Sequence, residues 1–243
     1  MLEGLHSAAT GLMAQQQRLD AISNDIANVS TPGYKSLRVG FRDLVYQQAG
    51  QGAGAGVNTG SGAAVTVIGR SLQGGALRET GQPLDVAISG DGFIQVRRPD
   101  GSLALTRDGS LQLAADGRLR TSTGDLLDPP VQLPGTPGEE VEIGSDGTVS
   151  VGGAEAGRIT LVRVPAASGL LAAGGNLFVP TAASGAPVPA AGAELQQGFL
   201  EGSNVDLAEA MVNMMDAQRG FQLASRAIQV QDDAWGIANG VKR

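Results

Sequence analysis

The sequence predicts an α+β protein in which N- and C-terminal helices pair as a coiled-coil layer and flank a central antiparallel β domain. Three observations support this fold class. Apolar residues recur every seven positions at both ends, Asp-Gly pairs recur between short apolar runs in the middle, and segments of small residues separate the three parts. The predicted boundaries are 1–46 for the N-terminal helix and the segment after it, 47–64 for a Gly-rich linker, 65–180 for the β domain, 181–202 for a return linker and 203–243 for the C-terminal helix.

The N-terminal helix is predicted from an apolar repeat with heptad spacing. One position of the repeat holds Leu5, Leu12, Leu19 and Ile26, and the position three residues later holds Ala8, Gln15, Ile22 and Val29. Such spacing places side chains along one seam of a helix. The helix should stop near Ser30-Thr31-Pro32-Gly33, because proline disfavours helical geometry in the residue before it.

The C-terminal helix is predicted from the same spacing. Its two positions hold Leu207, Met214, Phe221, Ile228 and Trp235, and Ala210, Ala217, Ala224, Gln231 and Ala238. Ser203-Asn204 or Asp206 can cap its start, since short polar side chains accept hydrogen bonds from the first free backbone N–H groups. Neither helix can bury its row of apolar side chains without packing against another surface.

The central region has the pattern of short antiparallel strands. Asp-Gly pairs, which suit hairpin turns that need positive φ, occur at 91–92, 100–101, 108–109, 116–117 and 146–147. The clearest alternating strand is Arg158–Val164, where Ile159, Leu161 and either Val162 or Val164 compete for the inner face. These features predict an antiparallel β domain.

Two segments have few large apolar side chains. Residues 47–64 read QQAGQGAGAGVNTGSGAA, without charge, and residues 181–192 are small and contain prolines. Neither offers enough apolar burial to offset the entropy of ordering. Both are predicted to be linkers.

Composition excludes several classes of function. The formal net charge of −7 disfavours a nucleic-acid partner, the absence of Cys removes thiolate nucleophiles and Cys-based metal sites, and His6 is the only histidine. The Asp residues lack the calcium-loop pattern, and the glycines at 52–56 lack the Gly-Lys-Ser/Thr ending of a phosphate loop. We therefore predict no catalytic residue, no cofactor, no metal and no small-molecule substrate, and hence not an enzyme.

The beginning of the chain lacks a basic region followed by a sustained apolar run, and no apolar run approaches the ~20 residues that span a bilayer. The sequence thus predicts neither a cleaved signal peptide nor a membrane anchor.

The heptad seams allow two interpretations. The helices could form an intramolecular hairpin that packs on the β domain, or both could face other chains. The uncharged spacer at 47–64 favours the second, because such a spacer suits two separately packing layers of an assembly. The predicted assembly seam comprises Leu5, Leu12, Leu19, Ile22, Ile26, Leu207, Met214, Phe221, Ile228 and Trp235.

The segment after the first helix resembles a signature of bacterial flagellar rod and hook proteins, Asn-x-x-Ala-Asn-x-x-Thr-x-Gly-Tyr/Phe-Lys. The matching residues are Asn24, Ala27, Asn28, Thr31, Gly33, Tyr34 and Lys35. Further similar stretches are 41–47, 85–93, 106–110 and 197–206, the last including Ser203, Asn204 and Val205. The resemblance covers nearly the whole chain and is closest to the distal rod type.

The resemblance implies a structural subunit that self-assembles into a hollow helical shaft and transmits torque from the motor to the hook. Its terminal helices would form an inner layer around a channel, with the β domain outside. Implied partners are copies of itself, other rod and hook proteins, and the flagellar type III export apparatus. The implied location is the basal-body rod, reached without a cleaved signal peptide. The segment 47–64 departs from the distal-rod pattern by being shorter and richer in glycine.

Alternative functions are a proximal rod or hook subunit of the same superfamily, a secreted β-rich adhesin or cap with oligomerising helices, and a hydrolase that uses scattered Asp and Glu residues. The signature argues against the adhesin. The absence of a paired acid/base motif argues against the hydrolase.

Overall fold

A computed structural model describes residues 2–44, 47–48, 58–59, 62–133 and 141–240. They form two compact units. The helical unit draws on 1–27, 37–68 and 206–243, and the β unit on 28–36 and 69–205. A helix near each end and antiparallel strands between them confirm the predicted α+β class. Most of the predicted Gly-rich linker, including 49–57 and 60–61, lies outside the described residues.

The helical unit contains two long helices and paired strands. The helices are α1 (Leu2–Ala27) and α2 (Leu207–Gly240), and the strands are β1 (Leu37–Asp43), β2 (Gln47–Gln48), β3 (Asn58–Thr59) and β4 (Ala63–Arg70), whose last two residues count with the β unit. Strand β1 pairs with β4, and β2 pairs with β3. No helix in the described part of the chain is long and apolar enough to cross a membrane.

Local polar contacts set the ends of the helices. After α1 stops at Ala27, the backbone turns and Thr31 N donates to Asn28 O at 3.1 Å. At the start of α2, Asp206 Oδ1 accepts hydrogen bonds from Ala208 N at 2.8 Å and Glu209 N at 3.1 Å. Asp206 is therefore the N-cap, which decides between the two candidates that the sequence offered.

In its described residues the β unit contains short strands and a 3₁₀ turn at Ala167–Gly169. Its strands are β5 (Leu77–Glu79), β6 (Val86–Ser89), β7 (Phe93–Arg97), β8 (Leu103–Thr106), β9 (Leu111–Leu113), β10 (Leu119–Thr121), β11 (Leu126–Leu127), β12 (Val141–Ile143), β13 (Thr148–Val151), β14 (Ala154–Arg158), β15 (Leu161–Arg163), β16 (Leu171–Gly174), β17 (Leu177–Val179), β18 (Val188–Pro189), β19 (Glu194–Gln197) and β20 (Phe199–Glu201).

The largest sheet has the strand order β16-β17-β8-β7-β11-β10-β9, and β15 joins it by pairing with both β7 and β18. A three-stranded sheet runs β12-β13-β14, and two further pairs are β19-β6 and β20-β5. The recorded pairings within these sheets are antiparallel. Strands β18, β19 and β20 lie within 181–202, so much of the segment predicted to be a return linker is structured as part of the β unit.

Two clusters of apolar side chains form the core of the β unit. The larger contains fully buried side chains from several strands, among them Val86, Ile94, Val96, Leu119 and Val149. The smaller is built around Phe93, Leu105, Val162, Val164 and Phe178. The rings of Phe93 and Phe178 meet edge to face with centroids 5.8 Å apart, a favourable aromatic geometry.

Asp-Gly pairs play two different parts. Gly101, Gly117 and Gly147 have positive φ, as the prediction of turns requires. The pair 108–109 differs, because a Cβ on Gly109 would fall against the carbonyl oxygen of Val86. There glycine permits the close approach of two backbones, and the hydrogen bond from Val86 N to Gly109 O, 3.0 Å long, uses that approach.

Candidate assembly surfaces and the signature segment

The helices of the helical unit pack against each other in antiparallel orientation. Contacts join the beginning of α1 to the far part of α2 and the end of α1 to the near part: Gly4 lies beside Gln231, Gln15 beside Gly220, and Arg18 Nη2 donates to Asn213 Oδ1 at 3.1 Å. Ala217 is fully buried and Ala210 nearly so. These alanines let the two helix backbones approach closely.

The predicted seam residues occupy the packed side of this helical unit and its margins. Ile22 is buried, and Leu5, Leu12, Leu19, Ile26, Met214, Phe221 and Ile228 are half-buried. Leu207 and Trp235 remain exposed. The heptad pattern thus marks a surface that contributes to packing within one chain, and its part in contacts between chains stays a prediction.

A second apolar surface lies on the opposite side of α2. Val212, Met215, Leu223, Val230 and Ile237 are each at least half exposed, and Leu223 is 66% exposed. At 100° per residue they fall within an arc of about 80° on the face opposite Ala217. We call these residues the outer stripe. Heptad spacing does not predict this stripe, because only Leu223, Val230 and Ile237 are seven residues apart.

The outer stripe carries basic residues among its apolar ones. Arg219 and Arg226 are exposed and project from the same arc of the helix, between Met215 and Val230. A mixed stripe of this kind can combine apolar burial with charge pairing against a neighbouring surface.

The signature segment, residues 28–36, belongs to the β unit although it directly follows α1 in the chain. Hydrogen bonds join it to residues that are distant in sequence. Gly33 N donates to Glu201 O at 2.8 Å, Asn176 Nδ2 donates to Pro32 O at 2.7 Å, and Ser36 N donates to Asn204 Oδ1 at 2.8 Å. These contacts attach the signature segment to parts of the β unit that are distant in sequence.

Gly33 shows why the signature requires glycine. Its φ is +67°, and a Cβ there would lie 2.7 Å from Asp108 N and 2.8 Å from the carbonyl carbon of Arg107. Both the conformation and the space exclude a side chain.

Lys35 and Glu201 form a buried ion pair with a separation of 2.5 Å between Nζ and Oε1. The Lys35 side chain is fully buried, and its Nζ also donates to Gln73 O at 2.7 Å. Arg107 Nη1 lies 3.3 Å from both carboxylate oxygens of Glu201. Burial lowers the pKa of the Lys35 ammonium, while its hydrogen bond to Glu201 acts in the opposite direction.

The second signature stretch, residues 197–206, makes further contacts with the signature segment and its neighbours. Asn204 Nδ2 donates to Ser71 O at 2.9 Å, and Ser203 Oγ accepts from Val205 N at 3.2 Å. The guanidinium of Arg70 lies over the Tyr34 ring at 5.2 Å and donates to Lys35 O at 2.6 Å. Because Asn204 also accepts the hydrogen bond from Ser36 N, it links the two signature stretches, which are far apart in the sequence.

The remaining signature residues lie at the junction of helix and turn. Asn24 and Ala27 are exposed near the end of α1. Thr31 Oγ1 donates to Asn28 Oδ1 at 3.2 Å, which closes the turn that follows.

The described residues do not assemble a metal-ligating group of His, Cys, Asp or Glu side chains. His6 is exposed on α1. Asp100 and Asp146 accept hydrogen bonds in their own turns, from Ser102 and Thr148.

A helical unit that draws on both ends of the chain, together with an antiparallel β unit, defines the α+β class expected of flagellar axial subunits. Three family models match: the flagella basal body rod protein model over residues 5–35, the flagellar hook protein FlgE/F/G D1 domain over 87–151, and the flagellar basal body rod FlgEFG protein C-terminal model over 196–241.

Full-length relatives agree with the family models. The chain is 39% identical to the flagellar basal-body rod protein FlgG of Borreliella burgdorferi, with all of both chains covered, and 37% identical to FlgG of Bacillus subtilis over 96% of each. It is 31% identical to FlgF of Rhizobium meliloti over 91% of this chain and 90% of that protein. The chain therefore belongs to the FlgE/F/G family of flagellar rod and hook proteins, as a structural rod subunit.

Proposed function

We propose that this rod subunit polymerises with copies of itself into a hollow helical shaft that transmits torque, at the distal rod position, next to other rod and hook proteins. It performs no catalytic step. In this proposal the chain reaches the basal body through the flagellar export apparatus, without a cleaved signal peptide. The observation that carries self-assembly is the outer stripe of α2, an apolar surface on the side of the helix that faces away from α1.

Apolar side chains that stay exposed do not gain the favourable free energy of burial. A partner that covers the outer stripe would supply it. Burying one Leu, Val, Ile or Met side chain contributes roughly 1.5–3 kcal/mol. Five such residues lie along one face of α2, with Arg219 and Arg226 between them. In our proposal the strip meets a different surface on the neighbouring copy, because contacts of that heterologous kind build open helical polymers.

The predicted seam residues support the same assembly indirectly. Met214, Phe221 and Ile228 are half-buried and hold α2 in place within its own unit. In our proposal, Leu207 and Trp235, which remain exposed at the margins, extend the surface that neighbouring copies cover.

Leu223→Asp tests the proposal. Because Leu223 is 66% exposed, the charge should leave the helicity and thermal unfolding of the monomer unchanged. In a polymer the same charge would replace the apolar contact of Leu223 and would itself be desolvated, which costs several kcal/mol for an unpaired charge. Arg219 and Arg226, four residues before and three residues after it on the same face, offset part of that cost. We expect loss of tube formation by electron microscopy and loss of swimming in soft agar.

Gln218→Asp is the matched control, since Gln218 is exposed on α2 but lies outside the outer stripe. It adds the same charge to the same helix and should assemble normally. Normal assembly of Leu223→Asp, or equal loss in both variants, would refute the outer stripe as the contact surface.

A further inference from the structure

The signature segment, residues 28–36, and the remainder of the β unit, residues 69–205, are separate stretches of chain, so within this unit only non-covalent contacts join them. We propose that Glu201 is a charge-dependent latch for this attachment. Its carboxylate keeps the signature segment docked by neutralising Lys35 and Arg107, and loss of that single charge releases the segment while the core of the β unit stays folded.

Contacts from distant parts of the sequence converge on Glu201. Its Oε1 accepts from Lys35 Nζ and from Gly75 N at 2.8 Å, and both of its oxygens face Arg107. Its backbone carbonyl accepts from Gly33 N at 2.8 Å. One residue therefore holds the signature segment through both its side chain and its main chain.

The balance of charge makes the carboxylate indispensable. Two cations, Lys35 and Arg107, share one anion, and all three side chains are at least 96% buried. The other groups that receive their hydrogen bonds are neutral carbonyls, Gln73 O for Lys35 and Gly90 O for Arg107, and Arg107 also lies 5.4 Å from the centroid of the Phe93 ring. Removing the negative charge leaves two buried cations close together, a state that is relieved when one of them is exposed to water or when Lys35, whose pKa burial already lowers, loses its proton.

Lys35 is the cation that can leave most readily. It lies on a short segment whose release breaks hydrogen bonds from Gly33, Ser36 and Asn176 and exposes the buried ring of Tyr34, but removes no residue of either apolar cluster. Arg107, by contrast, follows β8 and packs over Phe93, a member of the smaller cluster. Opening at the signature segment therefore relieves the repulsion without disturbing either apolar cluster, which movement of Arg107 would do.

Hydrogen exchange of the full-length protein tests the latch with Glu201→Gln. Glutamine keeps the size of the side chain and one acceptor oxygen, but it replaces the other oxygen with an NH2 group and removes the charge. We expect peptides covering 33–36 and 199–204 to exchange about 100-fold faster or more, as breaking a buried ion pair predicts, while strand β7 (Phe93–Arg97) keeps its protection. Glu79→Gln is the matched control, because Glu79 is exposed on the strand paired with β20.

A double variant separates charge from the loss of a specific hydrogen bond. Lys35→Met combined with Glu201→Gln removes one cation together with the anion, and should restore much of the protection at 33–36. Unchanged exchange in Glu201→Gln would overturn the proposal, and so would equal loss of protection in β7, which would make the charge part of global folding. Failure of the double variant to recover any protection would show that the effect does not come from unbalanced charge.

Discussion

Gly33→Ala offers a direct measure of how tightly the signature segment is docked. The substitution adds one methyl group to a residue with φ of +67°. The left-handed conformation costs a non-glycine residue roughly 1–2 kcal/mol. The added Cβ would also lie less than 3 Å from three backbone atoms of Arg107 and Asp108, which cannot move aside as a flexible side chain could.

Gly81→Ala supplies the matched control. Gly81 has almost the same φ, +66°, lies in the same unit, and has no atom within 4 Å of an added Cβ. Only the conformational cost applies there. The steric contact at Gly33 should add about 1–3 kcal/mol, the usual cost of overpacking. We expect a total of roughly 2–5 kcal/mol for Gly33→Ala.

The measurement is pulsed hydrogen exchange in a urea series, read separately in the signature segment and in strand β7. Gly33→Ala should lower the urea midpoint for residues 33–36 well below that of Gly81→Ala. Equal midpoints in the two variants would refute the reasoning, because they would show that the backbone of Asp108 does not confine Gly33. A lower midpoint in β7 alone would place the damage elsewhere in the β unit.

Two other predictions concern the helical unit and an exposed turn. Ala217→Leu should destabilise the packing of α1 on α2 by about 1–3 kcal/mol through overpacking, seen as earlier thermal loss of helical circular dichroism, whereas Ala227→Leu, at an exposed position, should not. Hydrogen bonds from Thr148 and Arg158 lower the pKa of the Asp146 carboxyl to about 2; its stabilising contribution is present above the unfolded value of 3.8 and is lost as pH falls towards about 2. Carboxyl NMR titration should show this pKa and its rise in Arg158→Ala, and an ordinary value in the unmodified protein would contradict the observed geometry.

The sequence could predict the helices because their signals are local. Heptad spacing and capping side chains lie within a few residues of the structure that they determine, so α1 and α2 follow from neighbouring residues, and Asp206 was one of the two candidate caps. The Arg158–Val164 pattern was less informative. The structure divides it between β14 and β15, with Ile159 in the larger apolar cluster and Val162 and Val164 in the smaller one.

The attachment of the signature segment could not be predicted in this way. Lys35 and Glu201 are separated by 166 residues, and Arg107 and Glu201 by 94. Periodicity does not relate residues at such distances, and a charged residue in isolation is more often exposed than buried. The resemblance identified Gly33, Tyr34 and Lys35 as signature residues, but only the structure shows what each one contacts.

The outer stripe and the signature segment have different roles: the signature segment stabilises the single subunit, and in our proposal the outer stripe joins subunits. The signature residues Gly33, Lys35 and Asn204 are turned inward, where their hydrogen bonds and limited space determine the structure of one subunit. The outer stripe of α2 is exposed and contributes little to that structure. Substitutions in the first group should therefore disturb the monomer before assembly, whereas substitutions such as Leu223→Asp should disturb assembly in a correctly folded monomer. The order in which stability and polymerisation fail thus distinguishes residues that shape the subunit from residues that join subunits.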